Sequence, residues 1–160
     1  MDRPLPDLTT AHRHSAPFVH SLGIRGCAVG SGQAVSVPEV VDVHPKDVLG
    51  RRGEQAAAEY LARAGFQILD RNYRCAQGEL DIVAAERRIL VACEVKTRSG
   101  LGYGTPAEAV TRRKLIRLRH LAVHWVQAHG LAFDALRVDV LGVLSTAGGE
   151  FEIDHLRGVG

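Results

Sequence analysis

The chain has 160 residues, 46% apolar and 24% charged, a composition typical of globular proteins and unlike that of a fully disordered, collagen-like or coiled-coil chain. This length accommodates one compact domain with a tail but not two enzyme-sized domains. A net charge of +2 does not by itself indicate a nucleic-acid partner. No apolar run approaches the roughly 20 residues that cross a bilayer, so we expect a soluble cytoplasmic protein with no membrane partner.

The N-terminal segment, residues 1–46, differs from the rest of the chain. It is rich in proline, glycine and serine, and its few apolar residues show no sustained period of 2 or 3.6. We expect a disordered tail here and a single folded domain over residues 47–160. A start codon upstream of the natural one would also explain the segment.

The folded part begins with a helix that we expect to start at Asp47, as N-cap, and to end at Gly65. Three strands are predicted over 66–73, 79–84 and 89–96, because β-branched and aromatic residues lie at their centres. A glycine-rich loop follows, then a long helix from Pro106 to about His129. Two more strands are predicted over 136–144 and 151–156. The order αβββαββ indicates an α/β fold with a mixed sheet, in which the long helix connects strands three and four.

The second and third strands carry an unusual set of charges. If Arg87 and Arg88 form a two-residue turn, Asp81 lies opposite Glu94 and Glu79 lies opposite Lys96. This register also predicts a wholly apolar second face, on which Leu80, Ile82 and Ala84 lie opposite Val95, Cys93 and Val91. A slip by one residue would scatter the charges onto both faces.

Opposed carboxylates repel each other, and the repulsion grows when the site is dry. A divalent cation held by Asp81, Glu94 and the carbonyl of Val95 would offset it, and oxygen-only ligands favour Mg²⁺ or Mn²⁺ over zinc. Lys96 points to the same side, where its ammonium could orient water or stabilise an attacked phosphate. These are the components that metal-assisted phosphodiester hydrolysis requires. The alternative is a solvated strand with an ordinary Glu–Lys pair.

The same residues resemble the PD-(D/E)xK nuclease superfamily, with Asp81 as the first acidic position and Glu94-Val95-Lys96 as the E-x-K. The stretch from about residue 49 to 156 is similar to the YraN-like family of nuclease-like bacterial proteins. The matching segments are Gly53-Glu54, Gly65-Phe66, Arg71-Asn72-Tyr73-Arg74, Gly78-Glu79-Leu80-Asp81, Glu94-Val95-Lys96-Thr97-Arg98 and Arg137-Val138-Asp139-Val140.

The resemblance implies a restriction-endonuclease-like αβββαβ core, similar to that of Holliday-junction resolvases, and a metal-dependent endonuclease that acts on DNA, on branched or damaged structures in particular. It also implies that Glu54 joins the metal cluster, and it favours a homodimer. The rival hypotheses are a non-catalytic nucleic-acid-binding module with a structural or vestigial metal site, and a small partner protein whose acidic cluster is structural.

Basic residues outside the acidic pair are candidates for nucleic-acid binding. Lys114 and Arg117 share one side of the long helix and could follow a phosphate backbone, although a solvated, solubilising face is an equal alternative. Arg74 and Arg98 could widen a basic groove beside the metal. Glu79, Arg137 and Asp139 are expected to support the site from behind, with mutual pairing of Arg137 and Asp139 as the alternative.

Overall fold

The computed structural model describes residues 44–100 and 110–160. Its elements are α1 (Pro45–Arg63), β1 (Gln67–Cys75), β2 (Gly78–Glu86), β3 (Ile89–Arg98), α2 (Arg112–His129), β4 (Ala135–Ser145) and β5 (Phe151–Leu156). This confirms the predicted α/β class and the order αβββαββ. Residues 1–43, and with them most of the predicted tail, lie outside the described residues, as does most of the glycine-rich loop.

One five-stranded sheet has the spatial order β1-β2-β3-β4-β5. Neighbouring strands are antiparallel except β3 and β4, which are parallel. Parallel neighbours need a crossover connection, and α2 lies in that connection, as predicted. The arrangement is consistent with a restriction-endonuclease-like core.

The helices cover opposite faces of the sheet, and each face has its own apolar core. The α1 core combines Ala57, Ala58 and Leu61 with sheet residues that include Ile82, Val91 and Leu141. The α2 core combines four helix residues, Leu118, Leu121, Ala122 and Trp125, with Leu80, Val83, Leu90, Ala92 and Val138. The sheet is therefore buried between two layers. In the described ranges, neither helix is long and apolar enough to span a bilayer.

Helix α1 starts earlier in the chain than predicted. The N-cap of α1 is His44, with Pro45 in the first turn, so Asp47 is a first-turn acidic residue and the prediction that it caps the helix is wrong. Gly65 follows the helix with φ of 87°, as expected for its end. Helix α2 begins at Arg112, where the Thr111 side chain caps it by accepting the N–H of Lys114 at 3.3 Å, and the predicted start at Pro106 lies outside the described residues.

The predicted register of the β2–β3 hairpin is confirmed where the strands pair. Ile82 pairs with Cys93 and Ala84 with Val91, and Arg87 has φ of 53° in the turn. Leu80 is the exception, because it packs in the α2 core and does not share a face with Ile82.

The β1 backbone accounts for the position of Leu80. Arg71 pairs with Ile82 and Tyr73 pairs with Leu80, so Asn72 lies between these two pairs. Its φ of 54° interrupts the extended backbone there. Tyr73 packs with Leu80 against the α2 core, so both strands change their side-chain alternation at this point. Asp81 lies next to this irregularity.

Candidate active site

The candidate site lies where the recorded pairing of β2 with β3 ends, at Ile82 and Cys93. Directly beyond that pair, the Asp81 carboxylate accepts the backbone N–H of Val95 at 2.7 Å. This bond joins Asp81 of β2 to β3 through a side chain and brings the Asp81 carboxylate beside the Glu94-Val95 peptide. Asp81 therefore contacts the residue after Glu94, and the charge of Glu94 acts on the Asp81 carboxyl.

Asp81 is destabilised as an anion. Burial, the charge of Glu94 and the charge of Glu54 all raise the pKa of Asp81, while the Val95 N–H and the charge of Lys114 lower it, and the balance places it at about 6. Like charges raise the pKa of a carboxyl only over short range, so these three carboxylates belong to one electrostatic environment. A raised carboxyl pKa of this kind is common at functional sites.

Glu94 is the most deeply buried member of the site, with a side chain only 3% exposed. Both of its oxygens are bound: Lys96 Nζ donates to Oε1 at 2.6 Å, and Lys114 Nζ lies 2.9 Å from Oε2. A buried carboxylate requires such partners, because an unpaired buried charge is costly. The sequence predicted that Lys96 lies beside Glu94, but it did not predict the contact with Lys114.

Glu54 approaches the site because α1 packs very closely on β3. Gly53 faces Thr97, and a Cβ at position 53 would lie only 2.0 Å from Thr97 Oγ1. Glycine is therefore required for this helix–strand contact, and it brings the adjacent half-buried Glu54 towards Asp81. Its charge raises the pKa of Asp81, as described above.

The donor set can be tested against the predicted Mg²⁺ or Mn²⁺ ion. Within residues 44–100 and 110–160, no three His, Cys, Asp or Glu side chains are grouped so as to hold a metal ion. The three-carboxylate cluster expected from Glu54, Asp81 and Glu94 is thus not assembled, although the three charges lie near one another. Two carboxylates and one carbonyl still suit Mg²⁺, which commonly keeps several waters and takes one or two protein carboxylates. The residues present fit such an ion.

Basic residues extend from the acidic pair towards the β1–β2 turn. Arg117 lies across Gly78, where a Cβ would come within 2.5 Å of its guanidinium nitrogen. Arg74 lies beside this position and pairs with Glu79 at 3.3 Å, with both side chains largely exposed. Of the four predicted nucleic-acid-binding residues, Lys114, Arg117 and Arg74 therefore follow one edge of the site, and Arg98 ends β3.

The residues predicted to support the site, Glu79, Arg137 and Asp139, pair with other side chains. Glu79 pairs with Arg74, not with Lys96 as the register predicted. Arg137 donates to both oxygens of Asp139 at 2.8 and 2.9 Å, so of the two alternatives the mutual pair is observed. Asp139 is fully buried and also accepts hydrogen bonds from the Gly158 amide and His155.

The chain is similar in sequence to one family of known proteins. Residues 53–143 match the model of the uncharacterised protein family UPF0102. The UPF0102 protein of Arthrobacter sp. strain FB24 is 53% identical over 115 residues, which cover 72% of this chain and 98% of the relative. The chain belongs to this family. The UPF0102 proteins of Beutenbergia cavernae and Frankia casuarinae are 49% and 51% identical over 115 and 113 residues, covering 72% and 71% of this chain and 98% and 96% of the relatives.

Membership of UPF0102, the YraN family, confirms the similarity to the YraN-like family seen in the sequence. The matched range contains Glu54, Asp81, Glu94, Lys96 and Lys114, so the whole candidate site lies within the part that defines the family. The residue that sequence reasoning assigned differently is Lys114, because it shares one side of the basic helix with Arg117, which suggested a phosphate contact. The sequence separation between Lys114 and Glu94 does not indicate that the two residues form an ion pair.

Proposed function

We propose that this protein is a Mg²⁺- or Mn²⁺-dependent endonuclease that hydrolyses phosphodiester bonds of DNA, with branched or damaged DNA as its expected substrate. The observation that carries the proposal is the position of the Asp81 carboxylate against the Val95 N–H, within reach of the Glu94 charge, with the Lys96 ammonium bound to Glu94. Such a cluster destabilises the apo protein, since the pKa of Asp81 is raised to about 6 by burial and by Glu94. A bound divalent cation would offset this cost.

Asp81 and Glu94, with the Val95 carbonyl, are the groups that would hold the cation, and Glu54 would support them. The cation would supply a Lewis acid at the phosphodiester and a water of lowered pKa. The protein's part is to hold these oxygens in place: the Val95 N–H fixes one Asp81 oxygen at 2.7 Å, and burial keeps the Glu94 carboxylate out of bulk water.

Lys96 is the residue that would act on the substrate directly. Its ammonium has three N–H donors, and the contact with Glu94 Oε1 uses one of them. The side chain is 37% exposed, so the remaining donors can reach a phosphoryl oxygen or orient the attacking water. Fixed positive charge at that position stabilises the negative charge that develops during hydrolysis.

The basic edge formed by Arg74, Lys114 and Arg117 suits a sugar–phosphate backbone that crosses the site towards the β1–β2 turn. Phosphate contacts of this type position a nucleic acid without reading its sequence. We therefore expect the substrate to be selected by its shape.

The experiment is incubation of the purified protein with labelled linear, single-stranded and four-way-junction DNA in Mg²⁺ or Mn²⁺. Cleavage that falls about 10²-fold or more in Lys96→Ala, with DNA binding retained, supports the proposal. Asp154→Asn, which changes an exposed carboxylate on β5, serves as the matched control and should cleave like the wild type.

Two outcomes contradict the proposal. Binding of DNA without products in either metal favours the non-catalytic nucleic-acid-binding module with a vestigial metal site. Absence of both binding and cleavage, for every DNA form, indicates that the acidic cluster is structural.

A further inference from the structure

The contact between α2 and β3 at Glu94 has a role that neither the family nor the proposed activity assigns. Both oxygens of Glu94 are taken, one by Lys96 and the other by Lys114. Each oxygen keeps a second lone pair, but a divalent cation placed there is repelled by both ammonium groups, so its binding favours release of one of them. The ammonium group released from Glu94 is that of Lys96 or that of Lys114.

Lys96 and Glu94 lie on the same strand, β3. The two residues are separated by one position of β3 and project on the same side, so the strand itself keeps their side chains together. Lys114 reaches Glu94 from a different element, through a flexible four-carbon stem. Lys96 has the same flexible stem, so either ammonium can be released by side-chain rotation, but only the release of Lys114 also breaks a contact between α2 and β3.

The first turn of α2 explains why Lys114 occupies this position when no cation is bound. The turn contains no acidic residue, and Arg112, Arg113 and Lys114 are consecutive cations at the positive end of the helix dipole. Their mutual repulsion is relieved where Lys114 meets Glu94. The acidic pair gains equally, since the Lys114 charge favours ionised Asp81 as well as Glu94.

We infer that Lys114 is a positioning residue that holds Glu94 while the divalent cation is absent and competes with that cation for the Glu94 carboxylate. The inference rests on the proposed function, because it concerns the same cation. On cation binding the Lys114 ammonium leaves Glu94 and becomes available to a phosphate of the substrate. Metal binding and nucleic-acid binding are thereby coupled through one side chain.

Calorimetric titration of the full chain with Mn²⁺, at low ionic strength and without nucleic acid, tests this inference. Lys114→Met should bind Mn²⁺ about tenfold more tightly than the wild type, because it removes the competitor. Lys114→Arg should bind more weakly than the wild type, since a guanidinium pairs with a carboxylate through two parallel hydrogen bonds. Arg113→Met is the matched control: it removes a neighbouring exposed charge and should stay within about twofold of the wild type.

A second readout needs no metal. In metal-free buffer, the Lys114→Met variant should melt at a lower temperature than the wild type. The same substitution made in a Glu94→Gln background should lower the melting temperature clearly less. An equal loss in both backgrounds overturns the inference. This cycle separates a specific Lys114–Glu94 interaction from a general defect in α2.

The results distinguish failure of this inference from failure of the proposed function. Wild-type binding of Mn²⁺ together with equal or weaker binding by Lys114→Met overturns the competition alone. Absence of Mn²⁺ binding in both proteins overturns the competition and the metal-dependent function together.

Discussion

Gly53 of α1 faces Thr97 of β3 so closely that a Cβ on residue 53 would lie 2.0 Å from the threonine hydroxyl oxygen. No real side chain is accommodated at that distance, so the helix can approach the strand only with glycine at this position. The contact sets the distance of α1 from the sheet at the end where Glu54, Asp81 and Glu94 lie. The geometry of the site therefore depends on a residue with no side chain.

Gly53→Ala should destabilise the protein by about 1–3 kcal/mol, because the methyl group forces α1 away from Thr97. Gly50→Ala is the control in the same helix, where nothing lies within 4 Å of an added Cβ. It should stabilise the protein by about 0.5–1 kcal/mol, since alanine favours a helix. Urea unfolding measures both. Equal effects of the two substitutions would contradict the close approach of α1 to β3.

Asp81→Asn should stabilise the metal-free protein at pH 8 and change it little at pH 4. The pKa of the folded-state carboxyl is raised from 3.8 to about 6, so the folded protein holds this proton more tightly than the unfolded chain does. Stability of the wild type therefore falls as the pH rises from about 4 to 6, by up to about 3 kcal/mol from this group. Asparagine does not titrate, so the Asp81→Asn variant lacks this pH dependence of stability.

Melting temperatures of the wild type and Asp81→Asn across that pH range, in the presence of a chelator, measure the difference. Asp154→Asn is the control for loss of an exposed carboxylate and should follow the wild type at every pH. If Asp81→Asn is less stable than the wild type at pH 8, the repulsion within the acidic pair is smaller than the structure indicates.

Asp139→Asn should destabilise the protein by up to about 3 kcal/mol, because it removes the buried counter-charge of Arg137, whose guanidinium keeps its bond to Glu86 at 2.8 Å. Burial alone would raise the pKa of Asp139, but the hydrogen bonds from Arg137, the Gly158 amide and His155 hold it below its ordinary value. Its stabilisation is therefore complete above the pKa of the unfolded carboxyl and is lost as the pH falls through the lower, folded-state pKa. Unfolding curves at pH 7 and pH 3 measure this, and a difference that does not shrink at pH 3 would contradict the ionic role.

Cysteine labelling provides a direct measure of local burial. Burial and the charge of Asp139 raise the pKa of the Cys93 thiol, which is fully inaccessible, whereas Cys75 is partly exposed. Only a thiolate reacts readily, so a thiol reagent at pH 8 should label Cys75 in the folded protein and Cys93 only after unfolding. Peptide mapping by mass spectrometry measures both sites. Cys75→Ser is the control, and rapid labelling of native Cys93 would contradict the position of β3 in the core.

Much of the fold was predictable because it depends on local patterns. The β-branched and aromatic residues at the strand centres placed β2 and β3, and the register that pairs Ile82 with Cys93 was the one that kept apolar side chains together. The same register predicted that Asp81 and Glu94 meet, since a two-residue turn leaves little freedom between neighbouring strands. Helix order and the parallel pairing of β3 with β4 followed from the connection lengths.

The tertiary structure decided what depends on distant segments. The side of the sheet on which Leu80 packs depends on the backbone of Asn72 in another strand, and the pairing of Lys114 with Glu94 depends on where α2 crosses the sheet. Asp139 was expected behind the acidic pair, but its partners include His155 and Gly158 from the end of the chain. A sequence specifies which side chains lie on one face of an element through short-range sterics and periodicity. Which charged side chains from different elements form pairs depends on the distances between those elements, and the packing of the helices sets these distances.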